Sequence, residues 1–432
     1  MGFVNDQLLL NNTNLFEPLD DKLETWMPHV LNTYETYARE YNWRRFLTLP
    51  DGRIYSLMGQ FLVSIPHLAD SYTFINTNWL RAVGRQIPTT VVELHEVLRA
   101  FRNQNVGNPG GANDKIPFNF STAPPNADIR FLSGAWGIQG NYNLTNGRIS
   151  ATMNSSNYRD FLVFVHQFFV EGLVNVEGFS QNREQYTAQL TSMNTGVFSG
   201  WGPGNFISNM ADLEPWDTLP ILTVPGRENL RTVHGASKAR TNMSRNGFIL
   251  SRSSRNKEAT MRWYDYLNTD QDMAMLVTHG EPGVAYRKTG ENQYLQLRPT
   301  DAQMRALGIL QLGSFYQSVG LINCHPLVLN YPTLDLETAR YSENYWRELA
   351  LPKIWDFMPD ETLPRAIAPP DKIDERALIE VDLLPFLAAF RADALLNGLN
   401  DAKWNTYVNE LQNRYQYNQW LQWHQDYVDG RF

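Results

Sequence analysis

The sequence predicts an α/β protein built in two lobes, and three observations carry that reading. A chain of 432 residues exceeds one ordinary core and fits two lobes of roughly 200 residues each. Residues 72–120 read as strand, helix pair and strand, the unit from which parallel-containing sheets are assembled. A hydrophobic content of 43% with 19% charged residues is that of a globular protein with cores to fill.

Each element has its own signal. Leu31, Tyr34, Tyr37 and Tyr41 share one face at helical spacing. Asp51-Gly52 marks a turn, and a strand begins at Ile54-Tyr55. Tyr72 to Asn76 is a β-rich run; Trp79, Leu80 and Val83 start a helix that Gly84 stops. Thr90 followed three residues later by Glu93 forms a capping box. Val92, Leu94, Val97, Leu98 and Phe101 then mark an apolar helix face, and Ile116 to Phe120 is the next strand. Asn146-Gly147 is a hairpin turn. Tyr158, Phe161, Leu162, Val165, Phe168 and Phe169 form a strong helical stripe ended by Glu171-Gly172. Residues 246–251 read as a short strand, followed by a helix with Ala259, Met261, Trp263 and Leu267 available for packing. The rest is helical, with Trp404, Tyr407 and Leu411 on one core-facing side.

Charge and motifs narrow the function. A net charge of −8 and a pI near 5.6 argue against nucleic acid, which requires a basic stripe. The single cysteine, Cys324, cannot form an internal disulfide and lies in no thiol-enzyme signature. No apolar run approaches the ~20 residues of a membrane span. No nucleotide loop, HExxH or GxSxG is present, and the eight histidines show no ligand spacing. Neither a cofactor nor a metal is expected. Glu281 and Glu214 are the candidate carboxylates for a glycosidase-like pair, without motif support. Glu281 either hydrogen-bonds a ligand hydroxyl or caps a loop.

Aromatics are abundant, with 12 Trp and 20 Tyr. Most serve cores, but some suit a cleft faced with flat rings. A saccharide site needs such rings for the apolar C–H faces of pyranoses, and planar polar partners for the hydroxyls. Tyr55, Gln60, Asn76, Asn119, Trp136, Trp201, Glu281 and Tyr286 stand at segment ends that offer this equipment. Trp201 is the sharpest candidate, because glycines at 196, 200, 202 and 204 surround it and allow close backbone approach. Its ring either faces a ligand or plugs the hinge region.

Several segments together resemble one family. "IYSL…YTFINTNWLRAVGRQIPTTVVELHEVLRAF…NDKIPF", "EGLVNVEGFSQN", "MNTGVFSGW" and "HGEPGVAY" are similar to segments of the carbohydrate-type extracellular solute-binding proteins of bacterial ABC importers, and the likeness runs to the last residue. The resemblance implies a two-lobed, periplasmic-binding-protein-like (type II) fold with an interlobe cleft, hinge strands and a helical C-terminal region. It implies residues 1–117 with 245–285 as the N-terminal lobe and 118–244 with 286–432 as the C-terminal lobe. Crossings are expected near Ile116–Asn119, residues 230–247 and Tyr286. It further implies capture of an oligosaccharide, delivery to ABC permease subunits, a monomer, and a place outside the cell at the membrane through a lipid anchor. The rival readings are a secreted glycoside-active enzyme and a sugar sensor that does not deliver. The family's first strand–helix–strand unit is expected to be missing before Met1. Relatives often carry a calcium loop where residues 103–115 stand; here Asn103, Asn105, Asn108 and Asn113 accompany one acid, Asp114, too few carboxylates to hold calcium. Arg and Asp are common in the family where Asn76 and Asn78 stand, so this turn favours a neutral saccharide.

Overall fold

The computed structural model describes residues 4–39, 42–58, 60–61, 69–104, 106, 115–123, 126–207, 209–239, 243–297, 300–306, 308, 333–334, 340, 343–364 and 366–432. Gly59, most of the loop 103–115, Cys324 and His325 lie outside the described residues.

The first lobe is small and mostly helical. It holds α1 (Asp6–Asn11), α2 (Leu23–Trp26), α3 (Pro28–Tyr37), α4 (Trp43–Leu47) and the short strands β1 (Ser56–Leu57) and β2 (Gln60–Phe61). The chain returns to it much later. Its core joins Leu23, Met27, Val30, Tyr34 and Trp43 to Leu250, Met261 and Tyr264. Asp265 ties the two passes together: its buried carboxylate accepts the backbone N–H groups of His29 and Val30, both at 2.9 Å, at the start of α3. Those are donors that the first turn of a helix leaves without intrahelical partners.

The second lobe carries the main sheet. Its elements are β3 (Tyr72–Asn76), α5 (Thr77–Ala82), α6 (Val91–Asn103), β4 (Ile116–Asn119), the hairpin β5 (Tyr142–Thr145) and β6 (Arg148–Ala151), α7 (Ser156–Val170), α8 (Arg183–Thr191), β7 (Thr195–Gly200) and β8 (Trp216–Thr218). The sheet order is β4-β7-β3-β8. β4 runs parallel to β7, with Phe118 beside Val197. β3 runs antiparallel to both neighbours, with Tyr72 beside Gly200 and Asn76 beside Trp216. The capping box of α6 is formed: Glu93 N–H donates to Thr90 Oγ1 at 3.0 Å and Thr90 N–H to Glu93 Oε2 at 3.1 Å. The buried face of α6 begins at Val91, not Val92, which is exposed; the cap sets the phase one residue earlier than the apolar run suggests. All six stripe residues of α7 are buried. Asn146 and Gly147 both take positive φ, as a two-residue type I′ hairpin demands.

The chain then returns through β9 (Met243–Ser244) and β10 (Phe248–Ile249) to α9 (Lys257–Tyr266) in the first lobe. α10 (Gln271–His279), β11 (Tyr286–Gly290) and β12 (Gln293–Gln296) follow, then α11 (Asp301–Ala306) and β13 (Thr333–Leu334). Four more helices, α12 (Glu343–Ile354), α13 (Pro370–Asn397), α14 (Asp401–Asn413) and α15 (Tyr417–Val428), complete the described residues. Leu387, Phe390, Tyr407, Leu411 and Trp420 of these helices enter the core of α6, α7 and the sheet.

This arrangement corrects the expected lobe division. Residues 72–117 share one sheet and one core with residues 118–222. No crossing therefore occurs at Ile116–Asn119, which is an internal strand. Tyr286 is not a crossing either; it packs with Ala274, Tyr294 and Trp346 against Phe74 and Phe198 of the sheet. The chain passes between the lobes between β2 and β3, again before β9, and a third time between α9 and α10. The first two passages are flanked by paired residues: Gln60 pairs with Ser244, and Ala69 bridges Ala236, both antiparallel.

Packing also sets an acid limit. His424 of α15 is buried among Trp420, Trp423 and Tyr142, with ring centroids at 4.3, 5.1 and 4.8 Å, and its Nδ1 lies 2.8 Å from the Trp420 carbonyl oxygen. Burial pushes the imidazole down to about 4. The folded value lies below the unfolded one near ~6.5, so this group's contribution is complete above that pH and declines as pH falls toward 4. The slope is about 1.4 kcal/mol per pH unit for one such group. Urea unfolding at pH 7 and pH 5 should show a smaller acid loss for His424→Phe than for the unaltered chain; equal losses would contradict the assignment.

Candidate functional site

The parallel pairing of β4 and β7 puts their C-terminal ends at one edge of the sheet, and the antiparallel β3 brings its N-terminal end there too. Open α/β sheets bind ligands outside the carboxyl ends of their strands. Here that edge is also where the chain arrives from the first lobe, through residues 69–71. The edge therefore lies on the side of the sheet from which the chain enters the lobe.

Trp201 stands at this edge, directly after β7. Its indole Nε1 donates to the Asp70 carbonyl oxygen at 2.9 Å, and the residue is 40% exposed. The glycines beside it serve packing underneath. A Cβ on Gly202 would lie 2.7 Å from the Trp346 ring, and one on Gly200 would lie 3.0 Å from the Phe206 ring. The backbone of Trp201 thus sits directly on buried rings while its own ring stays at the surface.

The neighbouring surface comes from residues that carry no sequence motif. Asp70 N–H donates to the Gly235 carbonyl at 3.0 Å, and Ser71 Oγ donates to the Asn126 carbonyl at 2.6 Å. His234 contacts Phe131 edge-on at 5.3 Å, and its Nδ1 lies 3.0 Å from Ser133 Oγ. Burial and the guanidinium groups of Arg130 and Arg391 push His234 down to about 3, so it is neutral at physiological pH. Arg391 donates to Asp128 at 2.7 Å, and Arg130 lies 3.6 Å from the same carboxylate. Phe131 and His234 also line a cavity of about 40 Å³, too small for a sugar ring. A larger groove of about 630 Å³ lies elsewhere, between Asp6, Phe46 and Arg245 of the first lobe and Arg376, Glu380 and Trp423 of the C-terminal helices.

Trp136, Asn119, Asn76, Tyr55 and Tyr286 do not converge on Trp201. Trp136 is 3% exposed and packs against Phe161 and Phe164, so it is a core ring and offers no free face. Asn119 is fully buried in a network of amides. Its Nδ2 donates to Gln189 Oε1 at 2.9 Å, and its Oδ1 accepts from Asn175 at 3.2 Å and Gln181 at 3.1 Å. Asn76 is the N-cap of α5, its Oδ1 accepting the N–H groups of Asn78 and Trp79. Tyr55 is buried in the first lobe with Leu9 and Leu49, and its hydroxyl donates to Asp51 at 2.8 Å. Tyr286 is 3% exposed beside Tyr294. Each of these five was expected as a ligand contact; Trp136, Asn119, Tyr55 and Tyr286 have packing or network roles instead, whereas Asn76, the cap of α5, also lines a second groove of about 630 Å³ with Asn78 and Trp79. Glu281 is exposed on the turn before β11, and Glu214 is exposed as well. Gln60 belongs to β2, paired with Ser244. Among the described residues no group of three or more His, Cys, Asp or Glu could hold a metal ion, and no helix is long and apolar enough to cross a membrane.

A two-lobed α/β chain with antiparallel segments passing between the lobes, and a polar–aromatic strand edge where the chain enters the second lobe, has the type II fold of solute-binding proteins. No protein-family model matches the chain. It is similar, however, to the fructooligosaccharide ABC transporter substrate-binding protein FusA of Streptococcus pneumoniae, with 25% identity over 437 residues, covering 95% of this chain and 75% of that protein. The crystal structure of S. pneumoniae FusA in complex with kestose matches with a TM-score of 0.81 and 24% identity, over 99% of this chain and 86% of that one. A solute-binding protein of Bifidobacterium longum infantis, described as HMO-binding and ABC-transporter associated, matches with a TM-score of 0.76 and 20% identity, over 98% and 85%. These relatives are transporter binding proteins, not enzymes.

The amide network yields a prediction about Asn119. Asn119→Ala would leave the buried amide of Gln181 and the half-buried amides of Gln189 and Asn175 each short of one partner, at about 1–3 kcal/mol. Chemical denaturation should register that loss. Unchanged stability with weakened ligand affinity would instead return Asn119 to the binding surface.

Proposed function

We propose that this protein captures an oligosaccharide between its two lobes and delivers it to the permease of an ABC importer. The observation that carries the reading is Trp201: a large ring left exposed at the sheet edge where the chain enters the lobe, seated on glycines over a packed core. A flat apolar face there matches the C–H face of a sugar ring, and closure of the second wall would exclude water. The similarity to FusA supports an oligosaccharide, of which fructo-oligosaccharides are the first class to test. Delivery implies action outside the cell beside the membrane-bound permease, and binding without cleavage.

The test is calorimetry and thermal unfolding with kestose and neutral milk oligosaccharides. A ligand should raise Tm and be recovered intact; release of monosaccharide by the pure protein would favour the glycoside-active reading. Trp201→Ala should weaken binding by roughly 1–3 kcal/mol, the scale of burying a large apolar side chain. Because the indole N–H is bonded to Asp70, that variant also loses about 1 kcal/mol of stability. Trp201→Phe separates the two effects: it loses the same bond but keeps a ring, so it should retain more of the affinity. If both variants bind like the unaltered protein while both unfold earlier, the ring is a hinge plug and not a ligand plate.

A further inference from the structure

We propose a second saccharide site, separate from the gap between the lobes, in the groove at the far end of the main sheet where β3 stops at Asn76. It goes beyond the oligosaccharide capture proposed above, and neither site needs the other. β3 sets their separation. Tyr72 at its start lies beside Gly200, which precedes Trp201, and Asn76 at its end lies beside Trp216. Five residues of strand put about 13 Å between the two edges, so one sugar ring cannot touch both.

The groove holds about 630 Å³, a volume usual for small-ligand sites. One wall is the start of α5, with Asn78 and Trp79; a second is the end of α8, where Thr191 leads to Met193 at a φ of +58°. The third is the loop that carries Asp212. Thr77 fixes this loop against α5, because its N–H and its Oγ1 both donate to the Pro215 carbonyl, at 2.6 and 2.9 Å. Asn76 lines the groove and is only 2% exposed. The helix sets the orientation of its amide: the N–H groups of Asn78 and Trp79 donate to Oδ1 at 3.0 and 3.1 Å, so the NH₂ end points away from them. That Nδ2 has no partner among the described residues, and it is not one of the atoms sealed from solvent. It therefore meets the groove, and a ligand that displaces water there must bring it an acceptor. Asp212 and Thr191 place acceptors and a hydroxyl in the same groove. A sugar hydroxyl accepts from one group and donates to the next, which suits such mixed walls. Among the described residues no basic side chain lines the groove, so a carboxylated or phosphorylated ligand would lack a counter-charge.

The test follows the side-chain amide signal of Asn76 by heteronuclear NMR, in the unaltered protein and in Trp201→Ala. The signal is assigned by its loss in Asn76→Ser, which keeps a good helix cap and should leave Tm unchanged. Titration with kestose should move the signal saturably and equally in both proteins, while trialanine should not move it. In Asn76→Ser, the response of the Asn78 amide to kestose should need roughly two- to tenfold more sugar, the loss of one hydrogen bond. Ala211→Trp, which fills the groove from its exposed rim, should abolish the response. No movement at high kestose concentration, or movement lost in Trp201→Ala, overturns this inference and leaves the proposed function standing. Movement with trialanine and not with kestose overturns the saccharide assignment. Movement of the Asn76 signal in a protein whose gap binds no sugar supports the site and overturns the proposed function instead.

Discussion

The chain passes between the lobes three times, and the first two passages are flanked by antiparallel pairing. Gln60 pairs with Ser244 and Ala69 with Ala236. This pairing delivers Asp70 and Ser71 to the edge of the main sheet just before β3, where Tyr72 meets Gly200 of β7. The indole of Trp201 then closes the arrangement by bonding to Asp70. Antiparallel pairing thus flanks the passage between the lobes on both sides, and its second part lies next to the residue that the Trp201 indole bonds. Motion of one lobe against the other would be felt first at residues that also touch the gap, which is what a clamp requires.

The aromatic abundance of the chain is mostly spent inside. Trp136, Tyr286, Trp346, Tyr407 and Trp420 are all buried, and many pack ring to ring, as Phe390 and Tyr407 do at 3.5 Å. Polar groups that resemble ligand contacts are likewise turned inward. The amides of Asn119, Asn175, Gln181 and Gln189 satisfy one another, because buried polar groups are costly unless paired.

Local patterns were legible in the sequence where the physics is local. The capping box at Thr90 and Glu93, the α7 stripe and the Asn146-Gly147 hairpin each depend on residues close in sequence, and each formed as read. The close backbone approach around Trp201 was legible from its glycines, which meet the rings of Phe206 and Trp346. The lobe boundary was not, since the pairing of β3 with β7 spans more than a hundred residues and nothing within β3 announces its partner. A segment-end Asn or Trp reads the same whether it faces a gap or a core. Only the packing of Phe161 and Phe164 on Trp136, or of Gln189 on Asn119, decides.

The most direct measurement is a crystal structure of the protein grown with kestose or a longer fructo-oligosaccharide. The account predicts a sugar ring lying on the exposed face of Trp201 in the gap between the lobes, with the first lobe closed over it. A ligand seated instead in the groove between Arg245 and Trp423, or an indole covered by protein with no sugar against it, would contradict the account.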